Sequence, residues 1–223
     1  MNYTEFVARM ASTMVQEDTA DSDWQIMLGA AIDYAELRIY RELDLLDTIV
    51  ADTSLVTTGG ARLLSISDAQ VGRFVKLHSV NAITPSGASS PDTGTRSPLA
   101  PVSKAFINAL YPSSAQNGVP RYYALIDSQT LLLGPWPDEA YKMELLGNIR
   151  PTPLSSSNST TILTLYFPDL FHACAMIFAS GWMRNFGSQA DNPQMAVSWE
   201  AVYEKLKDGA AIEEAKKALG AAA

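Results

Sequence analysis

Histidine and cysteine are the side chains best suited to nucleophilic or metal chemistry. This chain of 223 residues has two histidines, His78 and His172, and one cysteine, Cys174. His172 and Cys174 stand two positions apart in an apolar stretch that reads as helix. There i and i+2 point about 200° apart, so the pair cannot share a metal ion. A single cysteine also leaves no intrachain disulfide and no Cys-based zinc site. Asp18, Asp21 and Asp23 lie close together but lack the glycine and closing glutamate of a calcium loop; they read as a solvated, capping run. "TTGGA" at 57–61 is glycine-rich but has no GK[ST] after it, and neither GxSxG nor GxGxxG occurs. A carboxylate pair for glycoside hydrolysis would be assembled in space, and nothing singles one out. No catalytic residue, cofactor or metal site is assigned, and the chain is expected not to be an enzyme.

The elements that would position any site divide into helix, strand and helix again. Thr4 can cap a first helix, with Phe6, Met10 and Met14 on one stripe. Ser22 and Gln25 fit a capping box before the clearest helix, whose Trp24, Leu28, Ala31, Ala35 and Ile39 recur at spacings of three and four. Leu37 and Tyr40 fall off that stripe, on a possible second contact face. From about residue 46 to 164 the pattern turns β-prone. A hairpin is expected around Thr57-Thr58-Gly59-Gly60 and a strand in "GRFVKLHSVNAI". A long surface loop is expected over 84–101, then a strand–turn–strand at Asp127-Ser128-Gln129. "TLLLGPWPDEAYKMELLG", 130–147, reads as a stiff hairpin with Tyr141, Met143 and Leu145 on one face.

Helix returns at Pro168, a good first-turn residue, with Asp169 at the positive end of the dipole. The stretch 170–183 is apolar nearly all round and so must be covered nearly all round. That makes Met176 and Met183 candidates for a subunit interface, together with Leu37 and Tyr40. A last strong helix carries Met195, Trp199, Val202, Tyr203 and Leu206, and Asp208-Gly209 is expected to end it. Beyond it lies a weak amphipathic tail. The fold class expected is α+β: a helical bundle from both chain ends (1–45 and 165–223, the tail starting at 209) with an inserted antiparallel β-rich domain (46–164).

Composition narrows the function. At 47% hydrophobic and 18% charged, with a formal charge of −8, the chain is no free-standing gripper of phosphates. Its longest apolar stretch, 14 residues, is short of the roughly 20 a bilayer needs. The N-terminus shows no basic region followed by an apolar core, so synthesis and residence in a reducing compartment are expected. An interaction or structural role is favoured over catalysis.

Four stretches in order carry a resemblance: "WQIMLGAAIDYAELRIYREL", "ARLLSISDAQVGRFVKLHSV", "GVPRYYALIDSQTLLLGPWPDEAYKMELLGNIRPTPL" and "FPDLFHACAMIFASGWM". The third is the strongest, with Gly118-x-Pro120-x-Tyr122, then Leu133-Gly134-Pro135-x-Pro137, then a strand running into Pro151 and Pro153. In the second, Ile66-Ser67-Asp68 stands where a Leu-Pro-x-Asp-like corner is usual. In these features the chain resembles the head-to-tail adaptor (connector) proteins of tailed bacteriophages, the short-tailed type in particular. The resemblance implies a homo-oligomeric ring, commonly of twelve subunits, at the head–tail junction of the virion, made in the host cytoplasm. Such a ring sits under the portal protein, presents a platform to a tail or nozzle protein, and lets DNA pass through its channel without specific binding. It also implies that the tail lays Ile212, Ala215 and Leu219 along a groove of the portal. A second reading is a glycan- or receptor-binding tail module using Tyr122, Tyr123, Trp136 and Tyr141.

Overall fold

The computed structural model describes residues 1–66, 74–182 and 194–221. In chain order the elements are α1 (Tyr3–Met14), α2 (Ser22–Glu42), β1 (Ile49–Asp52), β2 (Leu63–Ser65), β3 (Phe74–Thr84), β4 (Thr95–Pro98), β5 (Ala100–Pro101) and α3 (Lys104–Leu110). Then follow β6 (Asn117–Gly118), β7 (Tyr122–Asp127), β8 (Thr130–Gly134), β9 (Trp136–Pro137), β10 (Lys142–Ile149), α4 (Ile162–Tyr166), α5 (Pro168–Trp182) and α6 (Gln194–Ala221). The protein is mixed α+β, with its principal strand pairs antiparallel. Backbone proximity divides it into two compact units, residues 1–47 with 151–223, and residues 48–150.

In the helical unit, two helix starts fall one or two residues from the expected caps. Asn2, not Thr4, caps α1: its Oδ1 accepts the Glu5 N–H, and the Glu5 carboxylate accepts the Asn2 N–H in return. Asp21 caps α2 by accepting the Trp24 N–H at 2.9 Å, which makes Ser22 the first helical residue. The apolar stripe of α2 is buried as expected and widened by Met27 and Ile32. It packs with Phe6 and Met10 of α1, Leu163 of α4, Phe171 and Ala175 of α5, and Tyr203 of α6 in one core. Helix α5 is contacted by α1, α2, α4 and α6, and Leu170, Phe171, Ala173, Cys174, Ala175, Met176 and Ala179 are all buried within the unit.

The expected helix end at Asp208-Gly209 is overturned, because α6 runs on to Ala221. Gly209 costs about 1 kcal/mol relative to alanine inside a helix. Contacts beyond it offset that: Ala210 is buried, and the Glu214 carboxylate accepts the Leu46 N–H at 2.8 Å.

The β unit stacks two four-stranded sheets, ordered β1-β10-β3-β4 and β2-β8-β7-β5. Their facing sides share a core of Phe74, Val80, Ala82, Met143 and Leu145 from the first and Leu64, Tyr123, Leu131 and Leu133 from the second. The outer side of the second sheet is covered by α3, through Ile107 on Ala124 and Leu132. Both faces of β8 are therefore buried, which is why Leu131, Leu132 and Leu133 read as a continuous apolar run.

Three sequence expectations change here. The stretch 130–147 is not a hairpin: β8 and β10 belong to different sheets, and Gly134–Pro137 carries the chain from one to the other. "TTGG" makes no hairpin either, since β1 pairs with β10 and β2 with β8. Instead it runs beside 137–141, the Thr57 N–H donating to Tyr141 and the Gly60 N–H to Pro137. A side chain at Gly59 would bring its Cβ within 2.9 Å of the Asp138 carbonyl oxygen. Finally, 84–101 is no plain loop, because β3 is long enough to pair its second half with β4, from Asn81 opposite Pro98 to Thr84 opposite Thr95. Arg96 fixes that edge, its guanidinium donating to Glu144 at 2.9 Å and to Asp92 at 3.1 Å. Asp68 of the expected corner and Met183 lie outside the described residues.

Candidate assembly surfaces

Of the three His and Cys side chains, His172 and Cys174 are withdrawn from solvent, while His78 is exposed. Cys174 is buried in α5, and desolvation pushes its thiol up to about 12, away from a reactive thiolate. His172 is also buried. Desolvation, aided by the charge of Arg9, lowers it to about 4, so it stands neutral, its Nε2 3.4 Å from the Thr13 hydroxyl. His78 meets the Asn148 side chain on the β unit. Among the described residues no three His, Cys, Asp or Glu side chains are placed to share a metal, and no helix is long and apolar enough to cross a membrane.

What the helical unit does build is a clamp of charges joining α2 to α6. The Arg38 guanidinium lies 4.4 Å from the centre of the buried Tyr203 ring and donates to Glu200 at 2.9 Å, to Glu42 at 2.8 Å and to the Tyr34 hydroxyl at 3.0 Å. Lys207 pairs with Glu204 at 2.6 Å and Glu42 at 3.2 Å, and the Tyr203 hydroxyl donates to Glu42 at 2.9 Å. Glu200 is held below the ordinary carboxylate range, first by its hydrogen bonds from Arg38. Glu42 is also lowered, its bonds from Arg38, Tyr203 and Lys207 together outweighing desolvation.

A second polar contact is buried deeper. Glu36 is 5% exposed, and its carboxylate accepts the Leu154 N–H at 2.9 Å, fixing the chain where it re-enters the helical unit. Burial is the main cause that raises Glu36 to about 7, with repulsion from Asp33 adding to it. The Tyr40 hydroxyl, buried without a hydrogen-bond partner among the described residues, is raised too, by desolvation and then by Glu36.

The distal half of α6 is anchored on one side and bare on the other. Glu214 is buried, taking the Leu46 amide on one oxygen and the Lys217 ammonium at 2.7 Å on the other. Lys217 also pairs with Glu213 at 3.0 Å and lies 5.6 and 5.2 Å from the Tyr166 and Phe167 ring centres. Positions 210, 214 and 217 thus share the inner face. Ile212, Ala215 and Leu219 fall about 140–200° round the helix from Ala210. They are exposed, Ile212 by 57% and Leu219 by 74%. The tail is helical as far as Ala221.

The other expected site residues fall apart. Leu37 is half-buried on the outer side of α2, and Tyr40 packs its ring against the core. Met176, expected at a subunit interface, is 1% exposed inside its own unit's core, so its side chain has no surface to offer. The four β-unit aromatics form no single platform: Tyr123 and Tyr141 belong to the core between the sheets, while Tyr122 packs under α3. Trp136 lies half-buried under the Arg62 guanidinium, 5.1 Å from its ring centre. The sequence reading missed α3 as a surface, although "KAFINAL" places Phe106 and Leu110 four apart.

Cys174 and His172 are buried, a charge clamp joins α2 to α6, and apolar side chains on α3 and α6 are left exposed. A family model, the SU10 adaptor protein, matches residues 1–221, and the chain belongs to that family. The family is one of phage adaptor proteins, so the role is structural and in the virion. Comparison with curated proteins finds no match.

Proposed function

We propose that this protein is a ring-forming adaptor of a short-tailed phage, twelve copies joining the portal at the capsid vertex to a tail or nozzle protein and extending the DNA channel. The observation that carries the reading is the adaptor family match across nearly the whole chain. The helical bundle contributed by both chain ends is the body of the ring subunit, and the β unit is inserted in it. The net charge of −8 suits a channel through which DNA slides without being held.

The portal contact falls on the bare ridge of α6. Ile212, Ala215 and Leu219 have the i, i+3, i+7 spacing of a helix laid in a groove, and the helix is already folded, so docking costs little ordering entropy. Leu37 and Tyr40 on α2 lie at the contact between copies. The test is co-sedimentation of the chain with its cognate portal, comparing wild type with the double variant Ile212→Asp, Leu219→Asp. Both side chains are exposed, so the variant should fold as wild type and lose the portal. Unchanged portal binding by the folded variant would place the contact elsewhere.

A further inference from the structure

The charge of the chain is divided unequally between its units. Residues 1–47 and 151–223 hold seventeen acidic and eight basic side chains, a formal charge of −9, while residues 48–150 hold seven and eight, a formal charge of +1. Between Asp92 and Asp127 the β unit has no acidic residue, but it has Arg96, Lys104 and Arg121. Helix α3 lies in that stretch. Its inner side is Ile107; outside it presents Phe106, 44% exposed, and Leu110, with exposed Ala105 and Ala109 beside them. Phe106 stands edge-on to Tyr122 at 5.5 Å. On the far flank Arg62 reaches the Asn108 side chain while covering the Trp136 ring. An apolar ridge flanked by Tyr, Trp, Arg and Lys, with no carboxylate in the segment that bears it, has the composition of an interface hot spot.

The helical unit has a face of opposite character. On the outer side of α2, away from its buried stripe, Ile26 is 61% exposed and Leu37 half-buried, with the small Gly29 and Ala30 between them. Asp23 and Asp33 stand exposed on the same side, Asp33 between Ala30 and Leu37, so this face is acidic where that of α3 is basic. Two helical units brought face to face would set −9 against −9. Helical unit against β unit does not.

We infer that the α3 face of the β unit is a docking site for the outer face of α2 from a second copy of this chain. The inference rests on the ring assembly proposed above only for the presence of a second copy. Phe106 and Leu110 pack on Ile26, Leu37 and the small residues between them, and Lys104 and Arg62 face Asp23 and Asp33. The contact joins two different surfaces, so it is head-to-tail, the kind that closes into rings rather than two-fold dimers. Charges of opposite sign across it set direction and register and make it weaker in salt.

The test uses two surface variants of the full chain: one with Phe106→Asp and Leu110→Asp, the other with Ile26→Arg and Leu37→Arg. Association is followed by sedimentation, with thermal unfolding as the control for folding. Wild type should self-associate, more weakly as salt is raised. Each folded variant alone should lose association by about thirtyfold or more, the effect of removing a hot spot. Mixed together, the two variants should form a complex of two copies and none larger, because only one intact pair of faces remains. If either folded variant alone associates as wild type does, or the mixture stays monomeric, the pairing of these faces is wrong while ring assembly stands. If wild type does not self-associate at any concentration, the ring reading itself falls.

Discussion

Replacing Glu36 with glutamine should uncover a balance between two buried groups that the wild type conceals. A carboxyl raised from 4.5 to about 7 binds its proton more tightly when folded. Its contribution to stability is fully present below pH 4.5 and is lost as pH rises through about 7. His172, lowered from 6.5 to about 4, behaves in the opposite sense: its contribution is complete above pH 6.5 and is lost as pH falls through about 4. At about 1.4 kcal/mol per pH unit, each interval is worth on the order of 3 kcal/mol. Between pH 4.5 and 6.5 the two slopes cancel, and the helical unit's stability should be nearly flat from these groups. Glutamine keeps an oxygen for the Leu154 amide and removes the charge. Glu36→Gln should therefore be more stable than wild type at about pH 8, by roughly 2–3 kcal/mol, or several degrees in Tm for a chain of this size. On acidification it should lose that advantage, because the wild-type carboxyl regains its proton and with it its contribution, while the variant's own stability falls on the unopposed His172 slope. Helical circular dichroism in urea, at about pH 8, 6 and 4.5, measures the difference from wild type, in which the other carboxylates cancel. No gain at high pH, with a pH profile parallel to wild type, would refute the reasoning.

Three further outcomes follow from particular contacts. Arg38→Ala should cost about 3 kcal/mol in urea denaturation, because it leaves Glu42 and Glu200 without their guanidinium and uncovers the Tyr203 ring; Arg38→Lys should recover only part. Gly147→Ala should destabilise the β unit by about 2 kcal/mol or more, since its Cβ would stand 2.2 Å from the Lys76 carbonyl oxygen where β10 shifts register on β3; backbone hydrogen exchange of β3 and β10 reports it. Met176→Asp should lower the stability of the isolated chain by about 3 kcal/mol or more, a buried unpaired charge rather than a blocked surface; a Tm equal to wild type would contradict its place in the core.

Periodicity made the helices legible. The buried stripe of α2 is the one its threes and fours announce, and the alternation of Tyr141, Met143 and Leu145 is the inward face of the segment that ends in β10. Strand pairing was less legible. Gly134-Pro135-Trp136-Pro137 carries the same turn signals whether its flanking strands pair with each other or enter different sheets, and here they do the latter. Met176 was misplaced because an apolar residue reads alike whether its own chain or a neighbour covers it; α1, α2, α4 and α6 close round α5 through contacts distant in sequence. The continuation of α6 past Gly209 depends on the same kind of contact, Glu214 with the Leu46 amide, 168 residues away. The α3 face was missed for a different reason: seven residues give too short a window for a stripe to stand out, and its basic surroundings show only against the chain's acidic whole.

The most direct test of the adaptor reading is the native mass of the chain with and without its cognate portal ring. Mixed with portal, wild type should give one discrete complex, a portal ring carrying a full complement of adaptor copies. The Ile212→Asp, Leu219→Asp variant should leave the portal at its own mass. A wild-type chain that stays off the portal at every concentration tried, or binds it equally well with that ridge replaced, would contradict the account.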